Sequence, residues 1–302
     1  AFTLLKIRTR SLCCAGIASR LVSSFITRQK LKSETKNRLG AYQDQIKDHP
    51  RTIMTDFTTQ ENQVHSKTLG FDYSIITMPE VNSFVMKAAQ RGVEWETFLC
   101  KKFKTLDFVQ NGAGDRTEPP LCLNVGSYIG SHSIPLAMLG YDVIGFEIIS
   151  RMRDICRANV LANGLEHKVT IRDGGLWNKN TTETAKTAYT GTSSIDRKLD
   201  EYKYEEQTDL WRLDDLNLNI GDRRIEFIKI DVEGGEFKVF DGADRTIRAH
   251  RPTIAVEVFN TTRNHRLLEE FCKRYDYTSE KLKSTDYWLT PNDRTCDMPV
   301  GF

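Results

Sequence analysis

The sequence predicts an α/β fold in which helices cover both faces of an open, doubly wound, mostly parallel sheet. Between residues 121 and 258, five short apolar segments alternate with segments whose spacing suits helices, and this alternation is typical of a parallel sheet. Two β segments near residue 280 can form a hairpin, which commonly adds an antiparallel strand to such a sheet. With 302 residues, 39% of them hydrophobic, the chain can bury a large core.

The strands and helices can be assigned in chain order. The predicted strands occupy residues 121–126, 141–148, 169–174, 225–233 and 252–258. Helices are expected at residues 131–140, 151–164, 234–250 and 265–275, and the C-terminal antiparallel hairpin at residues 277–290. The polar segment 178–208 is expected to be an irregular insertion between the third and fourth strands.

The region before the sheet divides into two parts. Residues 34–78 are polar and lack a clear period, which indicates a linker and irregular structure. From residue 79 to residue 103, apolar side chains recur at helical spacing. We therefore expect a basic N-terminal arm at residues 1–50, a helical N-terminal extension at residues 51–118 and the sheet domain at residues 119–302.

Charge is distributed unevenly along the chain. Residues 1–33 contain seven Lys and Arg and no acidic residue, whereas the rest of the chain has 36 basic and 41 acidic side chains. A basic, acid-free leader is typical of organelle targeting peptides, so we expect an intracellular protein, in mitochondria or another organelle. An arm without a targeting role is the alternative, and membrane contact is expected only through this arm.

Composition excludes several classes of protein. The net charge of only +2 argues against a dedicated nucleic-acid binder, which usually has a strong basic excess. The seven cysteines include no C-x-x-C pair, so neither a structural zinc site nor a disulfide framework is indicated. No uninterrupted apolar stretch reaches the ~20 residues that a membrane-spanning helix needs.

Polar strand ends mark the expected ligand site. In an open α/β sheet, ligands bind beyond the carboxyl ends of the strands. Each of the five predicted strands ends in a polar or acidic residue, in order Asn124, Glu147, Asp173, Asp231 with Glu233, and Glu257. Any one of these residues has an ordinary explanation as a turn residue or helix cap, but five in succession predict one binding site.

The first loop, NVGSYIG, suggests the type of ligand. A dinucleotide site needs G-x-G-x-x-G, and Tyr128 stands where the second glycine would approach a pyrophosphate. The spacing of Gly126 and Gly130, with Ser127 between them, still leads tightly into a helix whose free N–H groups favour a carboxylate. Glu147 is placed to accept hydrogen bonds from ribose hydroxyls. S-adenosylmethionine, a nucleoside with a carboxylate and a cation but no diphosphate, fits these features.

The segment FIKIDVEGGE, residues 227–236, resembles the K-x-D-x-E-G-x-E pattern of the FkbM-type methyltransferase family. Other segments resemble that family in the same order along the chain: GVEWETF at residues 92–98, NVGSYIG, GFE ending at Glu147, RANVLANG with Asn159 and Asn163, LDDL with Asp214 and Asp215, and RPTIAVEV leading to Glu257. The resemblance covers about residues 92–291 and implies a class I, Rossmann-like methyltransferase domain at residues 119–302 that uses S-adenosylmethionine.

Two residues of the expected cofactor site have open roles. The family usually has Asp where this chain has Asn124, and the amide removes a negative charge near the cofactor's sulfonium or amino group. Asn124 can still hydrogen-bond the loop or the ligand, so weakened affinity and loss of activity both stay open. Asp173 can bind the adenine amino group or only begin the Asp-Gly-Gly turn.

The fourth strand carries the candidate catalytic residues. Methyl transfer to an alcohol needs an acceptor oxygen in line with the methyl–sulfur bond and a base for its proton. Lys229, Asp231 and Glu233 alternate along the predicted strand and so project to one face. Asp231 or Glu233 is therefore the candidate base, and Glu236 is expected to be a first-turn acid of the next helix. The acidic cluster could hold Mg²⁺, but the spacing does not demand it and no metal site is predicted.

We expect a methyltransferase that methylates a hydroxyl of a small molecule or glycan, with no nucleic acid as substrate. A catalytically inert protein of the same fold that acts as a binding module is the alternative, and an NAD-linked oxidoreductase, which Tyr128 disfavours, is third. The acceptor is expected to contact the helices before residue 120 and the 178–208 insertion. Neither the acceptor nor the oligomeric state can be read from the sequence.

Overall fold

The computed structural model describes residues 58–112, 114, 117–188, 193–195, 204–221 and 223–293. All of them belong to one unit that begins at Thr55. The predicted basic arm at residues 1–50 lies outside the described residues, and its targeting role stays a prediction. Within the described part, Cys100, Cys122, Cys156 and Cys272 are free thiols.

The described strands and helices can be listed in chain order. The strands are β1 (Gln60–Ser66), β2 (Phe71–Thr77), β3 (Leu121–Val125), β4 (Asp142–Glu147), β5 (Val169–Asp173), β6 (Gly175–Leu176), β7 (Thr181–Thr187), β8 (Ser193–Ser194), β9 (Tyr204–Trp211), β10 (Ile225–Ile230), β11 (Thr253–Glu257), β12 (Tyr277–Lys281) and β13 (Asp286–Pro291). The helices are α1 (Phe84–Gln90), α2 (Thr97–Phe103), α3 (Asp107–Asn111), α4 (Ser133–Met138), α5 (Ser150–Ala162), α6 (Glu236–Asp241), α7 (Asp244–His250) and α8 (Thr262–Tyr275), with a 3-10 turn at Leu213–Asp215.

A seven-stranded sheet lies at the centre, in the spatial order β12-β13-β11-β10-β3-β4-β5. Strands β3, β4, β5, β10 and β11 pair in parallel, and the direction of winding reverses between β3 and β10. Strand β13 runs antiparallel between β11 and β12. The predicted open α/β sheet with a C-terminal antiparallel hairpin is confirmed. The structure also shows that β13, the last of these strands in the chain, lies between β11 and β12 in the sheet.

Alternate residues of the buried strands face opposite layers of helices. On one face, Ile228 of β10 belongs to a core cluster with Phe240 of α6 and Phe271 of α8, whose ring centroids lie 4.2 Å apart. On the other face, the ring of Phe227 lies 5.6 Å from that of Phe103 in α2. Residues that share the Phe227 face of β10 therefore point towards the N-terminal helices.

The N-terminal extension contains a β-hairpin, so the prediction of irregular structure up to residue 78 is wrong for its described part. Strands β1 and β2 pair antiparallel. In β1, Asn62, Val64 and Ser66 face inward, and only one of these three is apolar, which hides the strand period in the sequence. The buried polar groups are satisfied instead: the Asn62 amide donates to Thr77 Oγ1 at 3.0 Å, and the Ser66 hydroxyl donates to Glu94. The predicted helices follow as α1 and α2.

The 178–208 insertion is not irregular where the structure describes it. Strands β6, β9, β7 and β8 form a second sheet in that order. Strand β7, TTETAKT, is polar at most positions of both faces and buries only Ala185 and Thr187. This pattern lacks the apolar alternation by which a strand is recognised.

The segment after β10 forms two helices rather than the single helix predicted across residues 234–250. Helices α6 and α7 are separated at Gly242, where a Cβ would lie 1.8 Å from the Trp177 carbonyl oxygen. This backbone contact ends the first helix. Among the described residues, no helix is both long enough and apolar enough to cross a membrane.

Candidate active site

A cavity of about 410 Å³ lies at the carboxyl ends of β3, β4, β10 and β11, the edge where the sequence places the ligand site. It is lined by four of the predicted site residues, Gly126, Glu147, Asp231 and Glu233. The other four predicted site residues do not line it: Asn124, Ser127, Gly130 and Asp173.

The glycine loop after β3 owes its shape to close backbone packing. Gly126 has a φ of 82°, and a Cβ there would lie 1.8 Å from the Asp231 carbonyl oxygen. Only glycine fits this position. The N–H groups of Gly126 and Ser127 both donate to the Phe146 carbonyl oxygen, at 3.0 and 2.9 Å. The loop is thereby fixed against the ends of β4 and β10.

Ser127 and Gly130 shape the back of the loop rather than the cavity. Ser127 is 2% exposed. A Cβ on Gly130, whose φ is 87°, would lie 3.0 Å from the Cys156 sulfur of α5. Both residues let the loop pack closely on the structure beneath it, which is a more indirect role than the predicted cofactor contact.

Glu147 lines the cavity and also holds the loop. Its Oε2 accepts the N–H of Tyr128 at 2.8 Å, and its Oε1 accepts the N–H of Ile149 at 3.0 Å. Burial raises the pKa of Glu147 above its usual value, although these N–H donors oppose the shift. Tyr128 has a φ of 50°, an uncommon conformation for a residue with a side chain.

Asn124 lies behind the glycine loop. Its side chain is buried, and its amide nitrogen donates to Ser133 Oγ at 2.8 Å. The replacement of the family's Asp by Asn therefore changes the charge behind the loop and leaves the charged groups that line the cavity unchanged.

The structure does not bring Asp173 into the cavity. Its side chain is 59% exposed and forms an ion pair with Arg157, and Arg153 Nε lies 3.6 Å away. Both arginines extend from α5, whose basic side chains neutralise this carboxylate at the surface. Asp173 does not line the cavity, and its contact with an adenine amino group stays a prediction.

A buried lysine and three carboxylates meet at the ends of β10 and β11. Lys229 Nζ donates to Asp231 Oδ2 at 2.8 Å; the lysine side chain is 7% exposed and the aspartate side chain 32%. Carboxylate oxygens of Asp231, Glu233 and Glu257 all lie within 4.8 Å of one another. They are close enough to share one cation, and the cation beside them here is the Lys229 ammonium.

The environment separates the pKa values of Asp231 and Glu257. Burial alone would raise the pKa of Asp231, but the charge and hydrogen bond of Lys229 hold it below its usual value. Burial and the neighbouring charge of Asp231 raise the pKa of Glu257 to about 8. At neutral pH the pair therefore carries one proton, and the two carboxyl groups titrate as a unit.

Glu233 reaches the cavity from a turn, because β10 ends at Ile230 rather than at residue 233 as predicted. Glu233 has a φ of 57° and Gly234 a φ of 115°, so the predicted strand alternation stops before both. Ser194 of the second sheet donates its hydroxyl to the Glu233 carbonyl oxygen at 3.1 Å. Glu236 Oε1 accepts the Gly234 N–H at 2.9 Å, as expected of a first-turn acid.

Sequence reasoning missed a second buried pair, Glu96 and His132. His132 Nε2 lies 3.1 Å from Glu96 Oε2, and both residues line the cavity. His132 is 3% exposed. Burial lowers the pKa of His132; burial alone would raise the pKa of Glu96, but the neighbouring His132 side chain lowers it. The only signal in the sequence was the position of Glu96 in GVEWETF.

The rest of the cavity wall comes from outside the central sheet. The N-terminal extension contributes Ser83, Phe84, Val85 and Trp95, and the segments around the second sheet contribute Trp177, Ser193, Ile195 and Leu210. Phe84 is 75% exposed, which is unusual for a large apolar side chain. This wall is mainly aromatic and aliphatic, in contrast to the charged strand ends.

Comparison with known proteins identifies one matching family model. It is described as the methyltransferase FkbM domain and matches residues 124–279, slightly more than half of the chain. No functionally curated protein matches the chain in sequence.

Solved structures with a similar fold include three methyltransferases. For methyltransferase FkbM from Methylobacillus flagellatus KT, the identity is 17%, the TM-score is 0.42, and the match covers 62% of this chain and 47% of that chain. For precorrin-6y C5,15-methyltransferase from Geobacter metallireducens GS-15, the identity is 16% and the TM-score is 0.34. The match covers 58% of this chain and 80% of that chain. For the N-terminal domain of human METTL16 in complex with SAH, the identity is 13% and the TM-score is 0.37. The match covers 64% of this chain and 68% of that chain. The chain spans about half the length of the first of these proteins.

Proposed function

The chain belongs to the FkbM methyltransferase family, and we propose that it transfers a methyl group from S-adenosylmethionine to a hydroxyl oxygen of a small molecule or glycan. The observation that carries this proposal is the convergence of Lys229, Asp231, Glu233 and Glu257 beside the glycine loop. The cavity has acids that can bind a cation at one end, an apolar surface in the middle, and an acid that can accept hydrogen bonds beyond it, all at the same strand ends.

The lining residues fit S-adenosylmethionine in charge and polarity. Phe146, Ile148 and Leu176 offer an apolar surface for the adenine, and Glu147 lies where ribose hydroxyls would be bound. The carboxylates of Asp231 and Glu233 face the cavity and suit a cationic group. When bound, S-adenosylmethionine supplies an electrophilic methyl group.

Asp231 and Glu257 are suited to take the acceptor's proton as a pair. A general base works best when its pKa is near the working pH. Asp231 alone is a weak base, because Lys229 stabilises its ionised form. Glu257 adds a carboxyl whose pKa of about 8 lies much closer to physiological pH. When the shared proton is lost, two carboxylates lie side by side. Their mutual repulsion favours protonation and so raises the pKa at which the pair loses that proton.

The cavity wall supports an uncharged acceptor with a flat apolar face. Phe84, Trp95 and Trp177 provide aromatic surface, and the nearby Ser83 and Ser193 hydroxyls can hydrogen-bond acceptor hydroxyls. The acids at the strand ends outnumber Lys229. They repel phosphate or carboxylate groups on an acceptor, since like charges brought together in a binding site are unfavourable.

The position of Asn124 weighs against the inert-module alternative. That alternative depended on a missing negative charge in the cofactor site. Asn124 instead bonds Ser133 behind the loop, while the acids in the cavity are retained. The fold thus keeps the groups that methyl transfer needs.

An acceptor screen with labelled S-adenosylmethionine tests the proposal. The full chain is incubated with neutral glycosides, phenols and aliphatic alcohols, with amines and an RNA as comparators, beside the Asp231→Asn variant. We expect label in an ether on a hydroxyl-bearing acceptor and none with the variant. Transfer only to amines or RNA would overturn the assignment of the acceptor atom, and no binding of S-adenosylhomocysteine at millimolar concentration would overturn the methyltransferase activity itself. Binding without transfer to any compound would support the inert module.

A further inference from the structure

Asn159 of α5 and Asn163, which caps the C-terminal end of that helix, act together as a substitute β-strand for the edge of the N-terminal hairpin. The Asn163 amide accepts the Ser74 N–H at 2.9 Å and donates to the Ser74 carbonyl at 2.8 Å. The Asn159 amide does the same at Ile76, accepting at 2.5 Å and donating at 3.2 Å. Each side chain thus pairs with both backbone groups of one residue of β2.

The spacing of the two asparagines matches the spacing of the strand. Residues four apart on a helix lie on one face, roughly 6 Å apart along the axis. Residues two apart on a strand lie roughly 6.7 Å apart and direct their backbone groups to the same side. The pattern N-x-x-x-N therefore places two amides opposite Ser74 and Ile76, and it covers a strand edge that would otherwise be unpaired.

Only Asn159 also reaches the glycine loop. Its Nδ2 donates to the Ile129 carbonyl oxygen at 2.8 Å, and the side chain is completely buried. The second contact of the Asn163 amide is instead to the backbone of its own helix, at the Asn159 carbonyl oxygen. The two residues have the same chemistry and the same partner strand; Asn159 is fully buried and contacts the loop, whereas Asn163 is half-buried at the helix end and does not.

The same face of α5 supports the loop at two further points. Arg153 Nη1 donates to the Glu147 carbonyl oxygen at 2.9 Å, and Cys156 packs where a Cβ of Gly130 would be. The Cys156 sulfur lies 3.0 Å from the position of that Cβ, so α5 contacts the end of β4 through Arg153, the glycine loop through Cys156 and Asn159, and the hairpin through Asn159. The hairpin leads on to α1 and the acceptor wall.

We propose that Asn159 is a positioning residue that fixes the cofactor loop and couples its order to the docking of the hairpin. This inference rests on the proposed use of S-adenosylmethionine. Without the Asn159 amide, the Ile129 carbonyl loses a buried donor, and residues 126–130 lose their hydrogen bond to this side chain of α5. The ordering of the loop must then be supplied by the cofactor on binding, which lowers its affinity.

The test compares Asn159→Ala with the matched control Asn163→Ala in calorimetric titrations with S-adenosylhomocysteine. Both variants lose the bonds to β2, so both should unfold at a lower urea concentration. Only Asn159→Ala should raise the Kd for S-adenosylhomocysteine, by about five- to tenfold, the value of roughly one buried hydrogen bond. Asn163→Ala should stay within about twofold of the wild type.

A second pair, Asn159→Leu and Asn163→Leu, keeps the approximate side-chain volume and removes the hydrogen-bonding groups without adding a charge, in case the alanine variants do not fold. An unchanged Kd in the Asn159 variants would overturn the inference, and so would an equal loss in the Asn163 variants, which would show a general effect of hairpin docking. Absence of binding by the wild type would overturn the proposed function as well, and the wild-type titration identifies that case.

Discussion

The two sides of the cavity are built in different ways. The proposed cofactor side consists of strand ends and the tight turns that follow them, held by backbone bonds such as those from Gly126 and Ser127 to Phe146. The proposed acceptor side consists of side chains from α1, the segment before α2 and the second sheet, among them the exposed Phe84. The first side is fixed by the geometry of the sheet, and the second by segments attached to it.

Because of this difference, we expect cofactor binding and acceptor specificity to depend on different residues. Changes on the cofactor side disturb backbone contacts, so we expect them to affect every substrate. Changes on the acceptor side remove exposed side-chain surface, so we expect them to alter the acceptor preference while leaving cofactor binding intact. Four variants test this division, in order of decreasing expected effect.

The largest effect is expected for Asp231→Asn. The amide cannot accept a proton, so turnover should fall by about 10²- to 10⁴-fold, the usual contribution of a general base. Affinity for S-adenosylhomocysteine should change by less than about tenfold. Steady-state kinetics and calorimetry measure the two quantities, and Asp241→Asn, an exposed acid outside the cavity, is the control. Equal kinetics of Asp231→Asn and wild type would remove Asp231 from the chemistry.

Gly126→Ala should reduce affinity for S-adenosylhomocysteine by about 100-fold or more. The new Cβ would meet the Asp231 carbonyl oxygen at 1.8 Å, so the loop must move. Gly70→Ala is a matched control, because Gly70 has a φ of 84° and open space around it. Both variants bear the conformational cost of a positive φ, about 1 to 2 kcal/mol. If the two variants bound S-adenosylhomocysteine equally well, backbone packing at Gly126 would not determine the conformation of the loop.

Turnover should rise with pH through the Asp231–Glu257 pair. The raised pKa of Glu257, about 8, means that the pair holds a proton below that pH and loses it above. Since the base acts in its deprotonated form, kcat should increase about tenfold per pH unit below the midpoint and level off above it. A pH–rate profile of the wild type and Glu257→Gln tests this. A flat wild-type profile from pH 6 to 9 contradicts the assignment.

The smallest effect is expected for Phe84→Ala. Loss of an aromatic contact with the acceptor should raise its KM about threefold to tenfold. Stability and affinity for S-adenosylhomocysteine should be unchanged, because the side chain is 75% exposed. Val93→Ala, at an exposed apolar position outside the cavity wall, serves as the control. A lowered cofactor affinity in Phe84→Ala would contradict the division into two sides.

The sequence predicts the strand ends that line the cavity because their signals are local. Each parallel strand appears as an apolar run that ends in a polar residue, and Gly126 and Glu147 follow from that pattern. Asp173 shows the limit: a strand-end acid can turn outward when basic side chains of a neighbouring helix pair with it, as Arg157 does here. The direction in which such a side chain points depends on tertiary contacts, which the spacing of residues in the sequence does not show.

The strands of the segments on the acceptor side could not be predicted, for a different reason. Strand β1 buries Asn62 and Ser66, and β7 is polar on both faces, so neither shows the alternation of a strand. Their buried polar groups are satisfied by distant side chains such as Glu94. The pairing of His132 with Glu96 also joins residues far apart in the chain.

Hydrogen exchange with and without S-adenosylhomocysteine is the most direct test of the central claim, that the strand ends bind the cofactor. We predict slower exchange at residues 124–130, 147–149 and 231–235 when the compound is saturating, with little change at residues 83–96 until an acceptor is added. Absence of protection at the glycine loop, or protection confined to residues 83–96, would contradict the account.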